Sequence, residues 1–136
     1  MKVSAATTVT PELASLFDHA LKEAAAKRGG TALLATIGGS STPAELLEDL
    51  VRGGSMWLAL DADELRGFIV CRERLVEAVY VAHGFRRQKV ATSLVRALQA
   101  GDERPVDAYA LPGDRAMKSL YESLGWKARL LTMRGE

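Results

Sequence analysis

The sequence is poor in residues that bind metals or form cross-links. It contains one cysteine, Cys71, and two histidines, His19 and His83. A single cysteine cannot form a disulfide within the chain, and such scarcity is typical of proteins from a reducing compartment. The three residues also lack any spacing that metal sites use. We therefore expect a cytoplasmic protein that binds no metal ion.

The sequence also lacks long apolar runs and an excess of charge of one sign. No apolar run approaches the ~18 residues of a membrane-spanning helix, and the polar residues 1–10 do not have the pattern of a signal peptide. The formal net charge is +1, so neither nucleic acid nor an anionic membrane is expected as a partner. The 136 residues, 48% of them hydrophobic, suit a single packed domain over 1–136, as a monomer or a homodimer.

Helix and strand signals are distinct in the first half of the chain. Thr10-Pro11 and Thr42-Pro43 each predict the start of a helix, because threonine caps helix N-termini and proline is favoured at the first helical position. After the second helix, alternating apolar residues predict three strands whose connections are too short for crossovers, so that they pair antiparallel. With a short first strand, the predicted strands of this half cover residues 2–5, 56–60, 65–72 and 75–81.

The second half alternates helices and strands. Apolar residues at helical spacing, among them Val90, Leu94 and Leu98, predict a helix after the third strand of the antiparallel run. The further predicted elements are a strand over 106–110, a helix over 114–124 and a last strand over 126–133. This order of elements predicts a mixed α/β domain with a central sheet.

The segment most informative about function is residues 79–94. In this segment an apolar strand passes through a basic turn into a helix. The first amides of a helix lack intrahelical partners and lie at the positive end of the helix dipole. A pyrophosphate could therefore bind there, with the basic side chains nearby, and the small residues Ala91 and Thr92 would allow it close to the backbone.

The same local chemistry has other interpretations. Arg86, Arg87 and Lys89 could form a solvated basic turn, which local chemistry by itself favours. The segment has neither the Gly-x-x-x-x-Gly-Lys-Ser/Thr of a P-loop nor the Gly-x-Gly-x-x-Gly of a dinucleotide fold. A nucleic-acid patch is poorly supported, because aromatic residues are not interleaved with the charges.

Residues 79–94 resemble the acetyl-CoA-binding signature of the GNAT superfamily of N-acetyltransferases, Arg/Gln-x-x-Gly-x-Gly/Ala after a strand that ends in valine. The positions that match or continue the signature are Arg86, Arg87, Gln88, Val90, Ala91 and Thr92. Lys89 stands where the first glycine is expected, and His83 replaces a proline that is common in this turn. A side chain at Lys89 is tolerated if its φ is that of a right-handed helix.

A second stretch, residues 114–126, is similar to the family's downstream pattern Asn-x-x-Ala-x-x-Leu-Tyr-x-x-x-Gly-Phe. The fitting residues are Leu120, Tyr121, Gly125 and Trp126, whereas Asp114 takes the Asn position and Met117 the Ala position. An ordinary amphipathic helix with a glycine stop has the same features, but two motifs in the proper order are much rarer by chance. The resemblance implies the GNAT fold over essentially the whole chain: a mixed, mostly antiparallel sheet, splayed between its central strands and flanked by about four helices.

The resemblance also implies a reaction, in which acetyl-CoA is the co-substrate and an amine of a small molecule or protein is the acceptor. The amide of Val81 is the expected donor to the thioester carbonyl. The residues expected to bind acetyl-CoA are Val79, Val81, Arg86, Arg87, Gln88, Lys89, Val90, Ala91, Thr92, Asp114 and Tyr121.

Two residues are candidates for catalysis by this resemblance. Tyr121 is the candidate general acid, because a phenol with a pKa of ~10 is protonated at neutral pH and can donate to a thiolate; it could equally be a half-buried core tyrosine. Glu77 is the candidate base, since many relatives carry a carboxylate on this strand; it could equally be an exposed strand charge. His83 has a suitable pKa but a structural role fits its position better, and Glu73 is a weaker option.

Strand alternation predicts which residues near Glu77 share a face. One face of the strand is expected to carry Glu77, Val79 and Val81, and the other Val76, Ala78 and Tyr80.

Two alternatives to an active transferase stay open because of the departures at Lys89, Asp114 and Met117. One is a GNAT-fold regulator that binds acetyl-CoA and contacts a partner protein without turnover. The other is a GNAT-like domain that no longer binds the coenzyme.

Overall fold

The computed structural model of the chain describes residues 1–28, 30, 34, 38, 39, 41–133 and 135. Within them lie five strands and four α-helices, with a 3₁₀ turn at His83–Phe85. The strands are β1 (Lys2–Ala5), β2 (Met56–Asp61), β3 (Glu64–Arg72), β4 (Leu75–Val81) and β5 (Asp107–Ala108). The helices are α1 (Pro11–Ala26), α2 (Pro43–Arg52), α3 (Val90–Ala100) and α4 (Arg115–Ser123). The predicted α/β class is confirmed.

Both predicted N-terminal helix signals act as caps. The Thr10 hydroxyl accepts a hydrogen bond from the Leu13 amide at 3.2 Å. Thr42 and Glu45 form a reciprocal capping box, in which each side chain accepts from the other residue's backbone amide. Such caps satisfy amides that the helix itself leaves unbonded and contribute about 1 kcal/mol each.

The five strands form one sheet in the order β1-β2-β3-β4-β5. The first four pair antiparallel with their neighbours, and β4 pairs parallel with β5. Helices α1 and α2 cover one face of the sheet, over a core that includes Leu13, Phe17, Leu47, Leu50 and Phe68. Helices α3 and α4 cover the other face, over a core that includes Ile69, Val76, Leu94, Val95 and Tyr121. Each large apolar side chain removed from water in this way contributes about 1.5–3 kcal/mol.

Of the two strands predicted in the C-terminal part of the chain, the first is present but shorter than expected, and the prediction of the second was wrong. The strand predicted over 106–110 is only Asp107–Ala108, and residues 126–133 form no strand. Instead Leu130, Leu131 and Met133 are exposed. Apolar, strand-favouring residues become a strand only when a neighbouring edge supplies their hydrogen bonds. In the described part of the chain no strand pairs with the outer edge of β5.

A β-bulge interrupts the pairing of β3 with β4. Val70 is opposite Ala78, and the next residue of β3, Cys71, is opposite Val76. Glu77 is therefore an extra residue on β4 without a partner on β3. A bulge of this kind changes the phase of the side-chain alternation along a strand.

The bulge makes the predicted division of faces wrong. Val76 packs with Val79 and Val81 on the face that α3 and α4 cover. Ala78 and Tyr80 pack on the opposite face, against α1 and α2. The prediction assumed uninterrupted alternation through Glu77 and so placed Val76 on the same face as Ala78 and Tyr80. The sequence by itself does not show that Glu77 is an extra residue in a bulge.

None of the helices in the described ranges is long and apolar enough to cross a membrane.

Candidate functional site

Strands β4 and β5 separate after a short paired region. The Asp107 amide donates to the Arg74 carbonyl at 3.0 Å, and the Tyr109 amide donates to the Val76 carbonyl at 2.9 Å. Strand β4 then continues to Val81, whereas β5 has ended. The sheet is therefore splayed between these two strands, as expected, and no described strand pairs with β4 on this side beyond the paired region, which leaves an open edge on the C-terminal half of β4.

The main chain of β4 points towards this open edge at alternate residues. The Ala82 amide donates to the Arg66 carbonyl at 2.9 Å, on the side of β3. Since the hydrogen-bonding direction alternates along a strand, the main-chain groups of Val79 and Val81 point to the other side, where β5 has ended. The Val81 carbonyl accepts a hydrogen bond from Arg86 Nε at 3.0 Å. The remaining groups on this edge can pair with an extended ligand.

The N-terminus of α3 lies directly after this edge. The first intrahelical bond runs from the Ser93 amide to the Lys89 carbonyl at 3.0 Å, so the amides of Val90, Ala91 and Thr92 precede the hydrogen-bonded ladder. No side chain in the described part of the chain caps them. Such amides bind anions, with the dipole of the 11-residue helix in support.

The turn before α3 contains two non-glycine residues with left-handed backbone. Arg87 has φ of 66°, and Lys89, the N-cap residue, has φ of 63° and ψ of 22°. Only glycine adopts this region without steric penalty, which explains why the family pattern has glycine at the position of Lys89. The condition under which a side chain at Lys89 would be tolerated, a right-handed helical φ, is therefore not met, because the residue ends the turn and is not part of the helix.

The long polar side chains of the turn have different environments. Arg86 binds the Val81 carbonyl and the carboxylate of Glu23. Gln88 accepts a hydrogen bond from Arg66 Nη1 at 3.3 Å. Arg87 and Lys89 are exposed, and neither forms an ion pair with another described residue. Their charges can therefore neutralise an anion at the start of α3.

Glu23 of α1 was not predicted from the sequence, yet it contacts three residues of the site. Its carboxylate accepts hydrogen bonds from the Tyr80 hydroxyl at 2.7 Å and from Arg86 Nη2 at 3.1 Å, and it contacts His83 Nε2. Burial alone would raise the pKa of this carboxyl, but hydrogen bonds from Tyr80, Arg86 and His83 lower the pKa to about 2. The partners lie about sixty positions away in the sequence, so no local signal could identify Glu23.

Glu77 lies in the bulge of β4 and is only 8% exposed. The Arg72 guanidinium contacts both of its carboxylate oxygens, with Nη2 donating to Oε2 at 2.9 Å and Nε donating to Oε1 at closer range. Glu77 is therefore a buried, ion-paired carboxylate and not an exposed strand charge.

Tyr121 lies on α4 and is 7% exposed. Its ring stacks on Trp126, with the ring centroids 4.9 Å apart. Burial, followed by the negative charge of Asp114, raises the pKa of the phenol above its ordinary value. The hydroxyl is therefore protonated throughout the neutral range.

Asp114 uses both carboxylate oxygens within the protein. Oδ1 caps α4 by accepting from the Met117 amide at 3.2 Å, and Oδ2 pairs with Lys27 Nζ at 3.2 Å. The second contact joins the C-terminal end of α1 to the start of α4. Among the described residues there is no group of three or more histidine, cysteine or acidic residues that could hold a metal ion.

Comparisons with known proteins agree with this geometry. A family model described as "Acetyltransferase (GNAT) domain" matches residues 52–128, more than half of the chain. No curated protein is similar enough in sequence to match.

Several solved acetyltransferase structures share the fold at low sequence identity. The aminoglycoside N-acetyltransferase AAC(6')-Iy, in complex with the bisubstrate analog CoA-S-monomethyl-acetylneamine, is 17% identical, with a TM-score of 0.57 over 87% of this chain and 92% of that one. A GNAT-family acetyltransferase from Streptococcus agalactiae 2603 is 13% identical, with a TM-score of 0.63 over 90% and 83%. The aminoglycoside 6'-N-acetyltransferase AAC(6')-IG from Acinetobacter haemolyticus is 15% identical, with a TM-score of 0.57 over 100% and 99%.

The family match and the splayed sheet confirm the fold and the enzyme class expected from the sequence. The chain belongs to the GNAT family of acetyltransferases.

Proposed function

We propose that the protein transfers an acetyl group from acetyl-CoA to an amine by direct attack. The observation that carries this proposal is that the open edge of β4 leads directly to the uncapped N-terminus of α3. A pantetheine arm needs main-chain partners along an extended edge, and a pyrophosphate needs unbonded amides. The open edge and the helix start offer both in the order that the coenzyme requires.

Each part of this candidate site has a proposed role in binding the coenzyme. The main-chain groups of Val79 and Val81 would bind the pantetheine arm. The amides of Val90, Ala91 and Thr92 would bind the pyrophosphate. The remaining proposed contacts are the turn residues Arg86, Arg87, Gln88 and Lys89, the α4 N-cap residue Asp114, and Tyr121 of α4. Coenzyme A occurs in a solved complex of AAC(6')-Iy, a structural neighbour, which supports a coenzyme site in this fold.

Acetyl-CoA, when bound, supplies a thioester whose carbonyl carbon the amine attacks, so that a C–N bond forms while the C–S bond breaks. The Val81 amide would polarise the carbonyl oxygen. Tyr121 would donate its proton to the departing sulfur. The phenol is protonated at neutral pH, as this role requires, and its raised pKa makes it a weaker acid than an ordinary tyrosine.

Glu77 is the proposed base, acting directly or through a water molecule. Its place in the bulge, where β4 begins to leave β5, supports this role. Arg72 holds the carboxylate in one orientation through two hydrogen bonds. The amine's proton would pass to this carboxylate as the C–N bond forms.

The test has two steps. Calorimetric titration with acetyl-CoA should show binding in the micromolar range, and its absence would overturn the site assignment. Release of free thiol from acetyl-CoA is then measured over a panel of amines that includes an aminoglycoside, lysine and a peptide with a free N-terminus. Turnover with any of these supports the transferase, whereas binding without turnover over a broad panel supports the regulator that binds acetyl-CoA.

Three further properties are part of the proposal. The whole chain, 1–136, would form one domain, because the family match, the sheet and both cores extend over both halves. The protein would act as a monomer or a homodimer. The single cysteine, Cys71, which has no partner for a disulfide in the chain, supports a cytoplasmic location.

A further inference from the structure

We propose that Glu23 is a positioning residue, which holds the turn between β4 and α3 in the conformation that binds the pyrophosphate. This inference rests on the proposed acetyl-CoA site. It concerns a residue of α1, outside both family motifs, that has no proposed contact with the coenzyme.

The contacts of Glu23 converge on the turn. Arg86 Nη2 and His83 Nε2 reach its carboxylate from the turn, and the Tyr80 hydroxyl reaches it from the last part of β4. Arg86 also binds the Val81 carbonyl through Nε, so its guanidinium joins Glu23 to the end of the strand. The Arg86 guanidinium lies over the Tyr80 ring, 5.3 Å from the ring centroid.

The helix that carries Glu23 provides a fixed support. Leu13 and Phe17 of α1 are buried in the core on this side of the sheet. At its other end the helix is joined to α4 by the ion pair of Lys27 with Asp114. A contact from α1 therefore restrains the turn relative to the core.

The turn requires such restraint because two of its residues have a disfavoured backbone conformation. Arg87 and Lys89 both have left-handed φ, which is disfavoured for residues with a side chain and persists only where the surroundings enforce it. Arg66 restrains the turn from the other side, by donating to Gln88 and by lying over the Phe85 ring at 4.4 Å. Glu23 supplies the restraint from α1, and in this way it offsets the absence of a glycine at Lys89.

The apparent affinity for a ligand falls in proportion to the fraction of the protein in the binding conformation. Removing the Glu23 charge while keeping the shape of the side chain, by Glu23→Gln, should therefore raise the Kd of acetyl-CoA roughly fivefold, the effect of one partly exposed hydrogen bond. At saturating acetyl-CoA the kcat should be unchanged, because bound coenzyme restores the turn. Tyr80→Phe removes another hydrogen bond of the Glu23 carboxylate at a residue with no proposed contact to the coenzyme, and it should also raise Kd, which keeps the test available if Glu23→Gln proves too unstable to measure.

The matched control is Asp18→Asn, which removes another carboxylate of α1. Asp18 is exposed and pairs only with Lys22 among the described residues, at 2.9 Å, so this variant should bind acetyl-CoA as the wild type does. The second comparison repeats Glu23→Gln in a Lys89→Gly background. Glycine adopts the left-handed region readily, so loss of the restraint should raise Kd by a smaller factor there.

The outcomes separate this inference from the proposed function. If wild-type protein does not bind acetyl-CoA, both are overturned. If wild type binds and Glu23→Gln binds equally well, only the role of Glu23 is overturned. An equal loss of affinity with and without the Lys89→Gly substitution would also overturn it, because Glu23 would then act by orienting Arg86 and not by restraining the backbone of the turn. The role of Glu23 is supported if Glu23→Gln loses more acetyl-CoA affinity when Lys89 is present than in the Lys89→Gly background, while Asp18→Asn binds as the wild type does.

Discussion

Lys89 offers a direct test of the strained turn, because it combines a left-handed backbone with a charge at the start of α3. Lys89→Gly removes the steric penalty of that conformation, roughly 1 kcal/mol for a residue with a side chain. In a chain of 136 residues a gain of this size should raise the Tm by about 3 °C. The affinity for acetyl-CoA should be preserved or improved, because the anion can then approach the backbone more closely.

Lys89→Ala is the matched control for this prediction. Alanine also removes the ammonium group but keeps a Cβ, so the backbone penalty remains and the Tm should not rise. Differential scanning calorimetry measures the Tm and isothermal titration measures the affinity. A Tm of Lys89→Gly at or below that of Lys89→Ala would refute the backbone argument. A collapse of binding in both variants would instead identify the ammonium group as a phosphate ligand.

Three further predictions concern catalysis, pH and the sheet. Tyr121→Phe should lower turnover at saturating acetyl-CoA roughly a hundredfold, the usual contribution of a general acid; retained turnover would remove Tyr121 from the mechanism. The pKa of the Glu23 carboxyl is lowered from 4.5 to about 2, so its stabilising effect is present above pH 4.5 and is lost as the pH falls towards 2. The Tm of the wild type should therefore fall relative to that of Glu23→Gln over this window, and parallel curves would contradict the assignment. Gly67→Ala should lower the free energy of unfolding by at least about 1 kcal/mol, measured by urea unfolding, because the added Cβ would lie 2.6 Å from the Tyr80 carbonyl oxygen. Gly113→Ala is the control and should be nearly neutral, because its Cβ would meet nothing closer than 3.6 Å.

Features that depend on neighbouring residues could be predicted from the sequence. The caps at Thr10 and Thr42 act within four residues, and the short connections of the antiparallel strands leave only one way to pair them. The signature over 79–94 correctly predicted a strand, a turn and an uncapped helix start, since each of these is determined locally. These features were enough to identify the family.

Features that depend on distant partners were decided only by the tertiary structure. The bulge at Glu77 arises from the pairing of β3 with β4, and residues 126–133 remain outside the sheet because no described strand pairs with them. Glu23 and Lys27 look like ordinary charges of an amphipathic helix until folding places them against Arg86 and Asp114. Local chemistry determines where elements begin and end, whereas a side chain's role in the site depends on what the fold places opposite it.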